Sequence, residues 1–316
     1  MAFSYALLTH QQLLKVEGKD AFTFLQGQLS CDLRDVVNEG SRLGTHCTIK
    51  GHAIALFRVM AESDQSFLLR CHHSLIEKAL AQLKKYIIFS KATATLKAGY
   101  QGIGLVGPDV RDFLATQLSL SAEEIPTQAS EMRVTEKGFL CCIQPDRYEL
   151  WTSQHQFSEI QPLLDLQNVM PIEQWILADI RAGMPDIHEA TSEAFIPQML
   201  NLQVFEGVHF KKGCYTGQEI ITRLQHRGVL KRPMYRITCH SEQPPNIGSP
   251  IHCDDKEGVG QVVLVAPTEE AGCYEMLAVI LKDRAEKDQL WLPGPIPVTL
   301  LDLPYELDPR LFESKR

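Results

Sequence analysis

The sequence predicts an α+β protein in which two related α+β units are followed by a small β-barrel. Three observations carry that reading: a thirteen-residue segment recurs, similar strands and helices follow each copy, and the last third breaks into short strands. The repeat occupies residues 18–30 and 107–119, with seven of thirteen positions identical. Each copy follows a short apolar strand, at 13–16 and at 103–106. Each then opens a helix whose first turn carries Asp20 or Pro108-Asp109, where acids and proline are favoured. Further strands at 67–71 and 148–152 lead into helices at 75–86 and 157–166. Two copies of one strand–helix–hairpin–helix module explain this most economically.

The first unit, 1–96, contains a strong hairpin, with strands at 45–50 and 52–61 around a turn at Gly51. The second, 97–190, ends in a helix where Ile172, Ile176 and Ile180 predict the buried stripe. Trp175 shares a different face with Asp179, and spacing alone leaves it as either a stacking platform or interdomain packing. Residues 191–232 connect the units to a last domain, 233–316. There 234–239, 249–253, 259–266, 274–281 and 296–301 read as strands without convincing helices, hence a barrel or sandwich.

Composition narrows the class. The 316 residues are 44% hydrophobic and 22% charged, as in ordinary globular domains. No apolar run approaches the roughly 18 residues that span a bilayer, and no secretory signal opens the chain. Nine cysteines lie scattered without a C-x-x-C pair, which points to a reducing cytoplasm and against a disulfide framework or a zinc cage. The net charge of −8 disfavours non-specific nucleic-acid binding by the whole molecule. Residues 211–236 run against that trend, with seven Lys or Arg and one acid, Glu219. Such a stretch is a solvated basic face or a site for an anion, such as a carboxylate tail or an RNA backbone.

Two motifs are decoys. Gly102-Ile103-Gly104-Leu105-Val106-Gly107 spells G-x-G-x-x-G, but its first two glycines fall inside a strand rather than at the strand–helix turn. His46 with His52, and His72-His73, lack a carboxylate or cysteine partner at ligand spacing, so no metal is predicted.

The most informative segment is Lys212-Gly213-Cys214-Tyr215-Thr216-Gly217-Gln218-Glu219. Two glycines bracket a cysteine, and a lysine two residues earlier favours thiolate over thiol. From Glu219 the pattern turns helical, through Ile220, Ile221 and Leu224, and a helix start attracts anions. The composition suits a reactive or ligand-facing Cys214; a small buried cysteine in a tight turn is the alternative.

That octapeptide, with Phe195-Ile196-Pro197-Gln198 and Asn201-Leu202-Gln203 before it, resembles the YgfZ family. The likeness extends to Gly18-Lys19-Asp20, Leu25-Gln26-Gly27-Gln28, Leu83-Lys84-Lys85-Tyr86 and Phe89-Ser90-Lys91, nearly the whole chain. It implies a tetrahydrofolate-binding protein related to the glycine-cleavage aminomethyltransferase. The fold it implies is a T-protein-like three-domain ring with ferredoxin-like-type units and a folate-holding central channel. It also implies a role in assembly or repair of iron–sulfur clusters, on which the radical-SAM tRNA methylthiotransferase and hence tRNA modification depend.

Carried over by position, the resemblance makes Cys214 the functional cysteine, Lys212 its charged neighbour and Trp175 the folate-site tryptophan. Tyr215, Gln218, Glu219 and Arg223 join them as folate-contact candidates. Two departures fall at the same site: Gln11 replaces a tryptophan near the start of the chain, and Arg181 replaces the acid before Ala182-Gly183. Ile54-Ala55 occupy the hairpin place where the aminomethyltransferases carry acidic residues, which speaks against that general acid–base chemistry. The chain therefore reads as a folate-dependent accessory factor for iron–sulfur enzymes. A folate-dependent one-carbon transferase and a module that binds tRNA directly through the basic stretch are the alternatives.

Overall fold

The computed structural model describes residues 3–313; Met1, Ala2, Ser314, Lys315 and Arg316, at the ends of the first and last predicted segments, lie outside the described residues. The protein is mixed α+β, with two open sheets and a closed barrel. The first sheet has five strands in the order Ser41–Cys47, Ala53–Ser63, Ser66–His72, Gln11–Glu17 and Thr93–Leu96. Gln11–Glu17 lies antiparallel to both its neighbours, with Leu14 opposite Leu69 on one side and Leu96 on the other. Helix Ile76–Ile87 buries Ile76, Ala79, Leu83 and Ile87 and carries Lys84 and Lys85 in its last turn, an apolar stripe with cations at the negative end of the helix dipole.

The second sheet has six strands in the order Asn168–Val169, Ser4–Leu7, Tyr100–Val106, Arg147–Ser153, Gly138–Gln144 and Met132–Thr135. Ser4–Leu7 from the chain start thus pairs antiparallel with Tyr100–Val106. The repeat has a physical basis. Gly18 and Gly107, its first identical residue, adopt φ +128° and +136°, which a side chain would resist. Phe24, Leu25 and Leu29 of one copy, and Phe113, Leu114 and Leu118 of the other, are all buried. Gly102 sits in its strand because a Cβ there would meet the Trp151 ring at 2.7 Å, so this glycine serves aromatic packing.

Strands Met234–His240, Cys273–Ile280, Lys256–Pro267, Pro250–Cys253, Leu290–Leu292 and Ile296–Leu301 close the barrel. Alternating Ile237 and Cys239, and Met276, Ala278 and Ile280, point into its core, the period of two that marks strands. Strand Leu290–Leu292 and the helical turn Lys282–Ala285 escape the sequence reading; three and four residues are too few to display a period.

Helix Ile172–Arg181 corrects one expectation. Its buried residues are Trp175, Leu177 and Ile180, while Ile172 and Ile176 are half-buried. An indole removes more apolar area from water than an isoleucine does, and here it takes the covered side.

By contacts the chain divides into two compact units. One comprises Met1–Gln26, Asp32–Leu43 and Phe57–Ile172; the other comprises Gly27–Cys31, Gly44–Leu56 and Glu173–Arg316. The second holds the tip of the first hairpin, the cysteine motif and the barrel.

Candidate functional site

The cysteine motif is built around two glycines that face each other. The hairpin tip closes with Gly51 N–H donating to Thr48 O at 2.9 Å and Thr48 N–H donating to His52 O at 2.8 Å. Gly51 has φ +78° and Gly217 has φ +85°. A Cβ on Gly217 would stand 2.6 Å from Thr48 O and 3.0 Å from the Gly51 Cα. Glycine is therefore required at 217 on both conformational and steric grounds. At Gly213 a Cβ would meet nothing within 4 Å, so only the second bracketing glycine is demanded by packing.

Helix Gln218–Arg227 starts at Gly217. The Gln218 side chain turns back to accept from Tyr215 N–H at 3.3 Å, and Gln218 N–H donates to Tyr215 O at 3.1 Å. The loop before the helix is tied to the end of the first repeat copy. Thr216 N–H donates to Gly27 O at 3.1 Å, and the buried Lys212 ammonium donates to Leu29 O at 2.8 Å and Cys31 O at 2.6 Å. The same ammonium stands 5.1 Å from the centre of the Tyr215 ring. The charge expected to act on Cys214 thus has a positional task, holding residues 212–215 against residues 29–31. Tyr215 is buried, and burial first, then the Cys47 and Cys31 thiols, keep its hydroxyl well above the usual range.

This scaffold presents Cys214. Seven of the nine cysteines are buried, Cys273 is half-buried, and Cys214 is exposed. It opens onto a pocket of about 810 Å³, within the range of small-molecule sites. Tyr215, Gln218, Glu219 and Arg223 line the same pocket, so five of the residues singled out in the sequence converge there. Thr222, His226 and Arg227 complete it; the last two belong to the basic stretch read as a candidate anion site, and Thr222 was missed. Its signal was available, because 218/219, 222/223 and 226/227 repeat at i, i+4, i+8 along one helix face. The opposite face buries Ile221, whose carbonyl accepts from Gln198 Nε2 at 2.7 Å. Two guanidiniums against one carboxylate make the pocket cationic.

The other predicted site residues lie elsewhere. Trp175 is 2% exposed and packed in its helix's buried face. Arg181 donates to both Glu269 oxygens at 3.0 and 2.9 Å and to Glu275 at 3.0 Å. The Glu269 contact leads in holding its guanidinium above the usual range, and Arg181 in turn brings Glu269 down to about 2. Gln11 is buried at the start of its strand, opposite His72. In the first hairpin Ile54 and Ala55 are buried and bring no acid. His46 in the partner strand is fully buried, and desolvation pushes its pKa down to about 4.

The fold is that of the glycine-cleavage aminomethyltransferases. The structure superposes on the glycine cleavage system aminomethyltransferase T of Bartonella henselae with a TM-score of 0.79 at 15% identity, covering 96% of this chain and 86% of that one. Within that fold the chain belongs to the YgfZ family. It is 32% identical over 305 residues to the tRNA-modifying protein YgfZ of Photobacterium profundum, covering 94% of this chain and 89% of the relative. The protein of the same name from Escherichia coli O157:H7 is 30% identical over 309 residues, covering 94% and 91%. No family model matches the chain. Among the described residues no helix is long and apolar enough to cross a membrane.

Proposed function

We propose that this protein binds tetrahydrofolate or a one-carbon derivative of it in the cytoplasm and supports iron–sulfur enzymes of tRNA modification, the radical-SAM tRNA methylthiotransferase among them. The observation that carries the reading is the exposed Cys214 at the mouth of a cationic pocket, in a chain whose relatives are called tRNA-modifying proteins. The donor set suits folate. Its glutamate tail is anionic, and Arg223 and Arg227, with His226 beside them, are the groups that would hold carboxylates. Bound folate would supply one-carbon carriage on its pterin nitrogens. The chain's own part is to anchor the tail, hold the loop through Lys212 and Gly217, and present the Cys214 thiol. Trp175, Gln11 and Arg181 stay in the proposal as the positions that the family likeness links to the pterin. Trp175 is buried and Arg181 is ion-paired, which suits a positioning role for these two better than direct contact with the ligand.

An accessory role is favoured over aminomethyl transfer because the hairpin presents Ile54 and Ala55 where an acid would be needed. A second reading, direct tRNA contact, draws on the exposed Lys211, Arg223 and Arg227 of the basic stretch; it predicts affinity that falls steeply with salt.

The test is calorimetric titration with tetrahydrofolate of the wild type, Arg223→Ala/Arg227→Ala and Trp175→Phe. Loss of two charge-assisted contacts should weaken binding by at least about 100-fold. Undiminished affinity in the double-arginine variant would place the tail elsewhere, and no binding by the wild type would remove folate from the account.

A further inference from the structure

At one end of the barrel, strand pairing assembles a group of side chains that no local spacing announces. His240, the last residue of strand Met234–His240, is the Cα partner of Cys273, the first residue of strand Cys273–Ile280. Glu270 comes from the turn that leads into Cys273. One imidazole nitrogen, one thiol sulfur and one carboxylate oxygen of the three lie within 4.8 Å of one another. We propose that His240, Glu270 and Cys273 form a three-ligand site for a borderline transition-metal ion, zinc in the first place, with the fourth position left to water or an exogenous ligand.

The donor set carries the choice of metal. Imidazole, thiolate and carboxylate are the three protein ligands zinc takes, at bond lengths of about 2.0–2.3 Å, and hard oxygen-seeking cations have no use for the first two. Tetrahedral ligands at those lengths stand roughly 3.5 Å apart. The group must therefore contract by up to about 1.3 Å per pair, which side-chain rotation supplies, since His240 and Glu270 are exposed and Cys273 half-buried.

The backbone beneath is fixed. Cys273 N–H donates to Glu270 O at 3.1 Å, Thr268 N–H donates to Cys273 O at 2.9 Å and Ser241 N–H donates to Gly272 O at 2.8 Å. Thr238 Oγ1 lies 3.5 Å from the Cys273 sulfur and donates to Tyr274 O at 3.0 Å, placing a polar neighbour behind the ligand.

A second group on the barrel shows what a filled cluster looks like. Cys253, Asp255 and Asp288 also converge, but Arg284 bridges the two carboxylates at 2.7 and 3.0 Å. That cluster already holds its cation. Among the described residues His240, Glu270 and Cys273 take part in no ion pair, so their donor atoms remain available. Binding would displace the thiol proton to solvent and tie the turn before Cys273 to the end of the neighbouring strand. The zinc-bound form is thereby more stable by mass action.

The full-length protein, stripped with chelator, is titrated calorimetrically with zinc chloride and followed by cobalt(II) absorption and by thermal unfolding. One ion per chain is expected, with a rise in Tm and a thiolate-to-cobalt charge-transfer band. His240→Ala and Glu270→Gln, at exposed positions that leave the fold intact, should weaken zinc by at least about tenfold, and Cys273→Ser by at least about 100-fold with loss of the band. Cys214→Ala should keep both the band and the affinity. The site is overturned by absence of stoichiometric binding or by a band that disappears with Cys214. It is also overturned if His240→Ala and Glu270→Gln leave the affinity unchanged.

Discussion

Replacing Gly217 with alanine gives the sharpest test of how the motif is held. At φ +85° an L-residue costs about 1–2 kcal/mol relative to glycine. The new Cβ would stand 2.6 Å from the Thr48 carbonyl oxygen, a backbone atom that cannot swing aside. Overpacking of that kind typically adds about 1–3 kcal/mol. Together the two terms predict a loss of roughly 2–5 kcal/mol, which corresponds to a Tm lower by roughly 4–20 °C if the unit carrying the motif unfolds cooperatively. Gly213→Ala is the internal control, because its Cβ enters open space and should change stability by less than about 0.5 kcal/mol. Urea and thermal unfolding of both variants beside the wild type measure the contrast. Equal, mild effects at 213 and 217 would refute the packing of Gly217 against Gly51 and Thr48.

Three more predictions follow from the surrounding chemistry. Lys212→Met leaves the Leu29 and Cys31 carbonyls without their ammonium and should cost about 2–4 kcal/mol, measured by urea unfolding; a neutral outcome would remove the lysine from its anchoring role. His46 has a folded pKa of about 4 against 6.5 in the unfolded chain, so the unfolded state binds more protons between those values. Its contribution, about 3 kcal/mol, is complete above pH 6.5 and is lost as pH falls towards 4; denaturation across that window should show a slope that His46→Gln flattens. Arg181→Ala breaks a pair with the exposed Glu269 while Arg236 still donates to Glu275 at 2.9 Å, so the loss should stay below about 1 kcal/mol and should shrink in high salt.

Particular residues show what the sequence disclosed and what it withheld. The repeat was legible because Gly18 and Gly107 adopt the same positive φ and Phe24 and Phe113 are both buried. Most barrel strands were legible as short runs set off by Pro, Gly and Asp, whereas Leu290–Leu292 shows its buried, half-buried, buried pattern over three residues only. Five pocket residues emerged because they lie close together along one loop and one helix. Lys212 was assigned to its sequence neighbour, Cys214, because its carbonyl partners lie more than 180 positions away. For the same reason His240 and Cys273 pass unnoticed until strand pairing puts them side by side. The buried stripe was assigned to Ile172, Ile176 and Ile180 and Trp175 was left between stacking and packing, because a row of isoleucines reports pattern, and burial follows area.

The central claim is that the exposed Cys214 thiol, held by Lys212 and Gly217, performs the protein's task. In cells lacking the native protein, tRNA methylthiolation is measured after complementation with wild type or Cys214→Ala, both at verified expression. The account predicts restoration by the wild type and failure of Cys214→Ala; full restoration by Cys214→Ala would contradict it.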